Sequence, residues 1–208
     1  LAFFYKENLN NKYNMCWNAE VSLNSFIFGI ISMTIVLILN KINYINVLFA
    51  LTISLIQLME YYMWNNINNK AVIYILSIIG YFILLAQIIL LNYGCLNDKD
   101  RTVALIIIAF FAIYLFIYNY NNDKFKMEKG ENKHLVWHWA DFPKPFLILV
   151  LLFYIYPAFN CGYISFILIS ISLLISLYYY YNFKTWGTMW CYFGNFYWII
   201  LIIRSLIN

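Results

Sequence analysis

Long apolar blocks alternate with short polar breaks along this chain, and few of the blocks show the one-sided polarity of a helix on a soluble domain. Seven of them, residues 21–40, 44–64, 71–92, 102–118, 146–159, 162–181 and 188–203, reach or approach the roughly 20 apolar residues a helix needs to cross a bilayer. They are too long for barrel strands and do not alternate residue by residue. The fifth block is short and holds Pro157 near its end, so its helix is expected to start earlier, near Phe142. Tyr61, Tyr62, Trp64, Tyr178 to Tyr181, Trp186 and Trp190 crowd the block ends, the pattern of an interfacial aromatic belt. One long polar segment, residues 119–145, interrupts the series and carries both histidines and five of the 13 basic residues. The pattern predicts an all-α, polytopic integral membrane protein of seven transmembrane helices, formed as a single domain over residues 15–208.

Composition strengthens that reading. Charged residues make up 11% and apolar ones 64%, with a mean hydropathy of +0.72. So much apolar surface exceeds what one core of this size can enclose, and the lipid bilayer becomes the implied partner. The net charge of +4 does not point to nucleic acid, because the lysines cluster in one connection between spans. With odd spans crossing one way, Lys6, Lys12, Lys70, Lys124, Lys126, Lys129, Lys133, Lys144 and Lys184 share a side, nine against the four of Lys41, Lys99, Arg101 and Arg204. The excess of positive charge predicts a cytoplasmic N-terminus and an extracytoplasmic C-terminus. Residues 1–14 precede Met15 and lack the apolar core of a signal peptide, so they are read as a leader foreign to the native start. Cys95 and Cys161 fall in short connections on the predicted outer side, where a disulfide can form; Cys16 and Cys191 fall on the reducing side.

The second and sixth blocks look alike. Tyr44-Ile45 opens one and Tyr163-Ile164 the other, and TISLIQLMEYY (52–62) aligns with SISLLISLYYY (170–180). Spans one to three would then match spans five to seven as a parallel 3+1+3 repeat. That arrangement resembles the SWEET and PQ-loop carriers, in which the substrate path runs between two triple-helix bundles.

Candidate chemistry is sparse. Glu131, His134, His138 and Asp141 are spaced by three, four and three, which puts all four on one face of a helix bounded by Gly130 and Pro143. Two imidazoles one turn apart can share a Zn²⁺, and a carboxylate at either end can complete or orient the set. The string KHLVWHW resembles the HxxxH pair of the alkaline ceramidases and adiponectin receptors, and the resemblance implies His134 and His138 as two zinc ligands. Glu60 is the one acid well inside a predicted span, three residues after Gln57. An ionisable group in lipid faces the bundle or a wet cavity, or else snorkels to the headgroups, and Glu60 lies about one turn from a span end. Asn195 sits among small and apolar residues in the last span and is expected to bond another helix. Ser22, Ser25, Gly29 and Ser32 form a small-residue stripe on span one, with Ser165, Ser172 and Ser176 on span six.

Three functions remain open. The first is a small-solute or ion carrier with Gln57, Glu60 and Asn195 along its path, gathered at the inner face. The second is a membrane-embedded hydrolase using a metal held by His134 and His138, with Glu131 and Asp141. The third is a non-catalytic receptor-like or structural component, homo-oligomeric through the serine stripes. The strings MCWNAEVS, KHLVWHW and WGTMWCYFGN resemble a family of multi-span membrane proteins from protists, bacteria and large DNA viruses, which implies a fold and no activity.

Overall fold

The computed structural model describes residues 18–207. The expected leader at residues 1–14, and Cys16, lie outside the described residues. The chain is mostly helical: α1 Ala19–Leu39, α2 Tyr44–Asn65, α3 Lys70–Cys95, α4 Asp98–Asn121, α5 Lys144–Asn160, α6 Tyr163–Tyr180, α7 Trp186–Gly194 and α8 Tyr197–Ile207. A two-stranded hairpin, β1 Met127–Lys129 and β2 Leu135–Trp137, and a 3-10 turn, His138–Ala140, separate α4 from α5. Taking α7 and α8 as one broken helix over Trp186–Ile207, six helices are long and apolar enough to cross a membrane. The seventh, α5, has 17 residues, about 26 Å of helix at 1.5 Å per residue.

Asparagines set where the first four helices begin. The side chains of Asn18, Asn43, Asn69 and Asn97 accept from the first-turn amides of Val21, Ile45, Val72 and Asp100, satisfying donors that a helix start leaves open. Asn97 and the acids Asp98 and Asp100 start α4 before the apolar block at 102, because carboxylates favour the positive end of the helix dipole. Asn40 closes α1 in the left-handed region, at φ 49°. Asn195 and Phe196 break the last span between α7 and α8.

Helix α2 is the hub. Over the most apolar window of each candidate span, 56% of α2 is buried, against 17% of α4. It packs between α1 and α3 and also touches α7; α8 returns to α1, and α3 meets α5. Gly29 permits the closest of these approaches, since a methyl there would collide with Ser54 on α2. Ser22, Gly29 and Ser32 are buried, as are Ser165 and Ser176 on α6. Much of both stripes is thus covered inside one chain.

The polar connection departs from expectation. No helix runs from Gly130 to Pro143; the chain turns back on itself, pairing Met127 with Trp137, Glu128 with Val136 and Lys129 with Leu135. Gly130 and Lys133 form the turn, with Lys133 at φ 64°, and the Leu-Val-Trp run favours extended backbone. Phe125, Met127, Leu135, Val136, Trp137, Trp139 and Ala140 are all buried. The hairpin is therefore a plug whose apolar side closes one end of the bundle, with Glu128, Lys129, Glu131 and Lys133 exposed at its tip. Its carbonyls are met by helix side chains: Thr188 Oγ1 donates to Leu135 O (3.0 Å) and Asn119 Nδ2 to Trp139 O (3.1 Å). Such partners let non-helical backbone sit among membrane helices. Trp186 and Trp190 are also buried, so they belong to the interior and not to an interfacial belt. At the far end, Cys95 and Cys161 form a disulfide joining the end of α3 to the α5–α6 connection, with Cα atoms 4.7 Å apart.

Candidate functional site

A column of polar side chains rises from the plug to the middle of the bundle. Glu60, 2% exposed, points inward from α2 and does not snorkel. Its carboxyl lies beside the hydroxyls of Ser22 on α1 and Thr188 on α7, and beside the Gln57 amide. The Cys191 thiol, one turn along α7 from Thr188, faces Glu60 and Gln87 of α3. Gln87 Oε1 accepts from the Tyr154 hydroxyl of α5 (3.1 Å). Above this layer, Ser54 Oγ accepts from Trp198 Nε1 (2.9 Å) and donates to Asn195 Oδ1 (3.4 Å). Five helices, with α7 and α8 taken as one, thus contribute to one column.

Its polar atoms are incompletely matched. Oε1 of Glu60, both amide atoms of Gln57, Nε2 of Gln87 and Nδ2 of Asn195 are buried without a well-formed hydrogen bond. Native interiors satisfy nearly all such groups with protein or ordered water, so a cluster of open ones marks a place where a bound polar group would complete the bonding. Among the described residues, no Lys, Arg or His side chain pairs with the Glu60 carboxyl.

Gln57 and Glu60 are brought together, as their spacing implies. Asn195 is not at the same rim: it bonds Ser54, six residues before Glu60 on α2, about 9 Å along the axis. Ser22, Gln87, Tyr154, Thr188 and Trp198 were not singled out for this site. The available signal was spacing, since Thr188, Cys191 and Asn195 lie three and four apart on one helical face, as do Ser54, Gln57 and Glu60 at three and three.

The four plug residues expected to share a metal do not converge. Among the described residues, no three His, Cys, Asp or Glu side chains form a group that could hold a metal ion. His134 is buried with its ring edge-on to Tyr180, 5.5 Å between centroids. His138 points to Glu128, Nε2 to Oε1 3.0 Å. Glu131 is exposed, and Asp141 binds Lys184 (2.9 Å). The helical face that would have aligned them is absent because the segment is a hairpin. Burial holds the His134 imidazole down at about 4, whereas the Asp141 carboxylate raises Lys184 above the ordinary lysine value.

Two clefts flank the column. One lies between α3, α4 and α5, closed at its end by Trp139, Trp186 and Trp190, with about 640 Å³ of space between atoms, part of it open to the outside. The other lies between α2, α6 and the α7–α8 break. Neither is lined by Glu60.

Compared with protein-family models, curated proteins and solved structures, the chain matches none.

Proposed function

We propose that this multi-span membrane protein is a carrier for a proton or a small monovalent cation, with the Glu60 carboxyl as the carrying group. The observation behind the proposal is a buried acid on the most buried helix, with no cationic side chain to balance it and open polar atoms around it. An isolated carboxylate in such surroundings is strongly disfavoured, so the group holds either a proton or a cation at rest. Gln57, Ser22 and Thr188, which lie beside the carboxyl, supply neutral oxygens of the kind that suit a dehydrated monovalent ion. The site is occluded, and the plug lies over it through the Thr188 contact with Leu135. Movement of the plug opens the column to one side, and the α7–α8 break beside Asn195 is the natural hinge for the other.

The same reading includes seven crossings, α5 being the short one, and a cytoplasmic plug. That orientation is supported by the lysine-rich plug at one end of the bundle and the Cys95–Cys161 bond at the other.

Reconstitution in phosphatidylcholine–phosphatidylglycerol vesicles tests the carrier. An imposed pH or cation gradient should drive proton, sodium or potassium movement above that of empty vesicles, and Glu60→Gln should abolish it. Wild-type protein that moves none of these ions, or a Glu60→Gln variant as fast as wild type, would overturn the reading.

A further inference from the structure

The cleft beside α4 carries a separate inference, independent of the carrier. Helix α4 packs chiefly on α3. Towards α5 it reaches mainly by aromatic rings: Phe111 meets Phe146 and Phe153 at 5.6 and 6.1 Å, and Tyr114 meets Phe146 at 5.3 Å. Behind this screen lie Leu84, Ile88, Ile108, Leu115 and Val150, over Trp139. Two tyrosines also line the space, and both hydroxyls are already engaged. Tyr81 donates to Ala112 O (2.5 Å) and Tyr154 to Gln87 Oε1. An occupant therefore finds apolar surface and no free hydroxyl, which suits a hydrocarbon chain and disfavours a polar solute. From Ile108 to Leu115 the wall runs about 10 Å along α4, on the half of that helix nearest the plug.

The mouth is charged. Past the end of α4, Lys124 lies over the Tyr118 ring (4.9 Å) and donates to Asp141 O (3.3 Å), next to the cleft residue Phe142. Asp141 pairs with Lys184, on which Glu128 also acts, and among the described residues no carboxylate pairs with Lys124, so its ammonium is the uncompensated charge at the mouth. An apolar slot with an ammonium at its rim has the layout of acyl chain and phosphate in a membrane lipid.

We infer that the cleft between α3, α4 and α5 holds one acyl chain of an anionic phospholipid whose phosphate rests at Lys124. The neighbouring bilayer supplies the occupant through the gap between α4 and α5. Filling the slot from within should exclude it, and removing the ammonium should leave the chain bound while relaxing headgroup choice.

The test uses the full chain in nanodiscs of equal phosphatidylglycerol and phosphatidylcholine, stripped into detergent and weighed by native mass spectrometry. Wild type should retain one phospholipid, with phosphatidylglycerol preferred by about fivefold, the effect of one surface lysine on an anionic headgroup. Ala112→Phe should retain none, and Lys124→Gln should retain one lipid with no preference. A second readout covers a variant that fails to fold: phospholipids brominated along the acyl chain should quench wild-type tryptophan fluorescence beyond the level set by exposed tryptophans. The inference is overturned if wild type retains no phospholipid, if Ala112→Phe retains it equally, or if Lys124→Gln keeps the wild-type preference.

Discussion

The Glu60 column and the cleft beside α4 share a wall, yet they are built oppositely. Tyr154 belongs to both, lining the cleft while its hydroxyl bonds Gln87 in the column. On the column side, polar atoms are sealed by five helices and the plug. On the cleft side, an apolar slot is left partly open at a helix that is only 17% buried. The difference teaches what a bilayer tolerates. Hydrocarbon can finish an apolar surface that the protein leaves open, whereas a buried carboxyl must be enclosed and balanced by the protein or its cargo.

Trp139 offers the hardest way to break that comparison, because it closes the cleft and anchors the plug above the column. Its side chain is 1% exposed, stacks on Trp137 at 5.1 Å, and sits so near Gly80 that a Cβ there would lie 3.0 Å from it. Trp139→Ala should lower stability by about 3–5 kcal/mol, measured as unfolding in detergent micelles, and should open both regions together. Loss of the cleft alone, with the column intact, would separate them.

The disulfide touches neither region. Cys95→Ser releases a link spanning 66 residues and should cost about 2–4 kcal/mol in the same unfolding assay. Ion movement through the vesicles should be unchanged, because the bond lies at the end away from the plug.

Acid should act on the plug through His134. Burial lowers its folded value to about 4 from the ordinary 6.5, so the neutral ring is the folded form. Stability from this group is complete above about 6.5 and falls as pH drops from there towards 4, by up to about 3 kcal/mol. Unfolding followed from pH 7 to pH 4 should show that loss, and His134→Gln should flatten it. The smallest effect is expected at the rim. Lys184→Ala removes an exposed pair with Asp141 and should change stability by less than about 1 kcal/mol; a larger change would mean that the rim holds the plug in place.

Much of this contrast was legible in the sequence, and the reasons are specific. Glu60 and Gln57 stood out because a lone acid within an apolar helix has few places to go. Cys95 and Cys161 follow the third and fifth apolar blocks, which puts both at one face. The plug was hidden. Its polar residues repeat by three, four and three, as on a helix, while its strands are three residues each and depend on contacts from Thr188 and Asn119. Trp186 and Trp190 misled for a similar reason, since aromatic residues near a span end look alike whether they face headgroups or the plug. Hydropathy narrows the hub to two helices, since α2 and the α7–α8 span share the lowest value, 1.4, and are the most buried; the buried polar stripe on α2 decides between them.

The most direct measurement is labelling of Glu60 by a membrane-soluble carbodiimide, which couples to protonated carboxyls, followed by peptide mass mapping. Glu60 should be modified at neutral pH in the folded protein in its bilayer, less so as pH rises, and it should be shielded by sodium or potassium if either is the cargo. A Glu60 that stays unmodified at every pH, while Glu20 and Glu131 on the surface react, would contradict a carboxyl that loads and unloads inside the membrane.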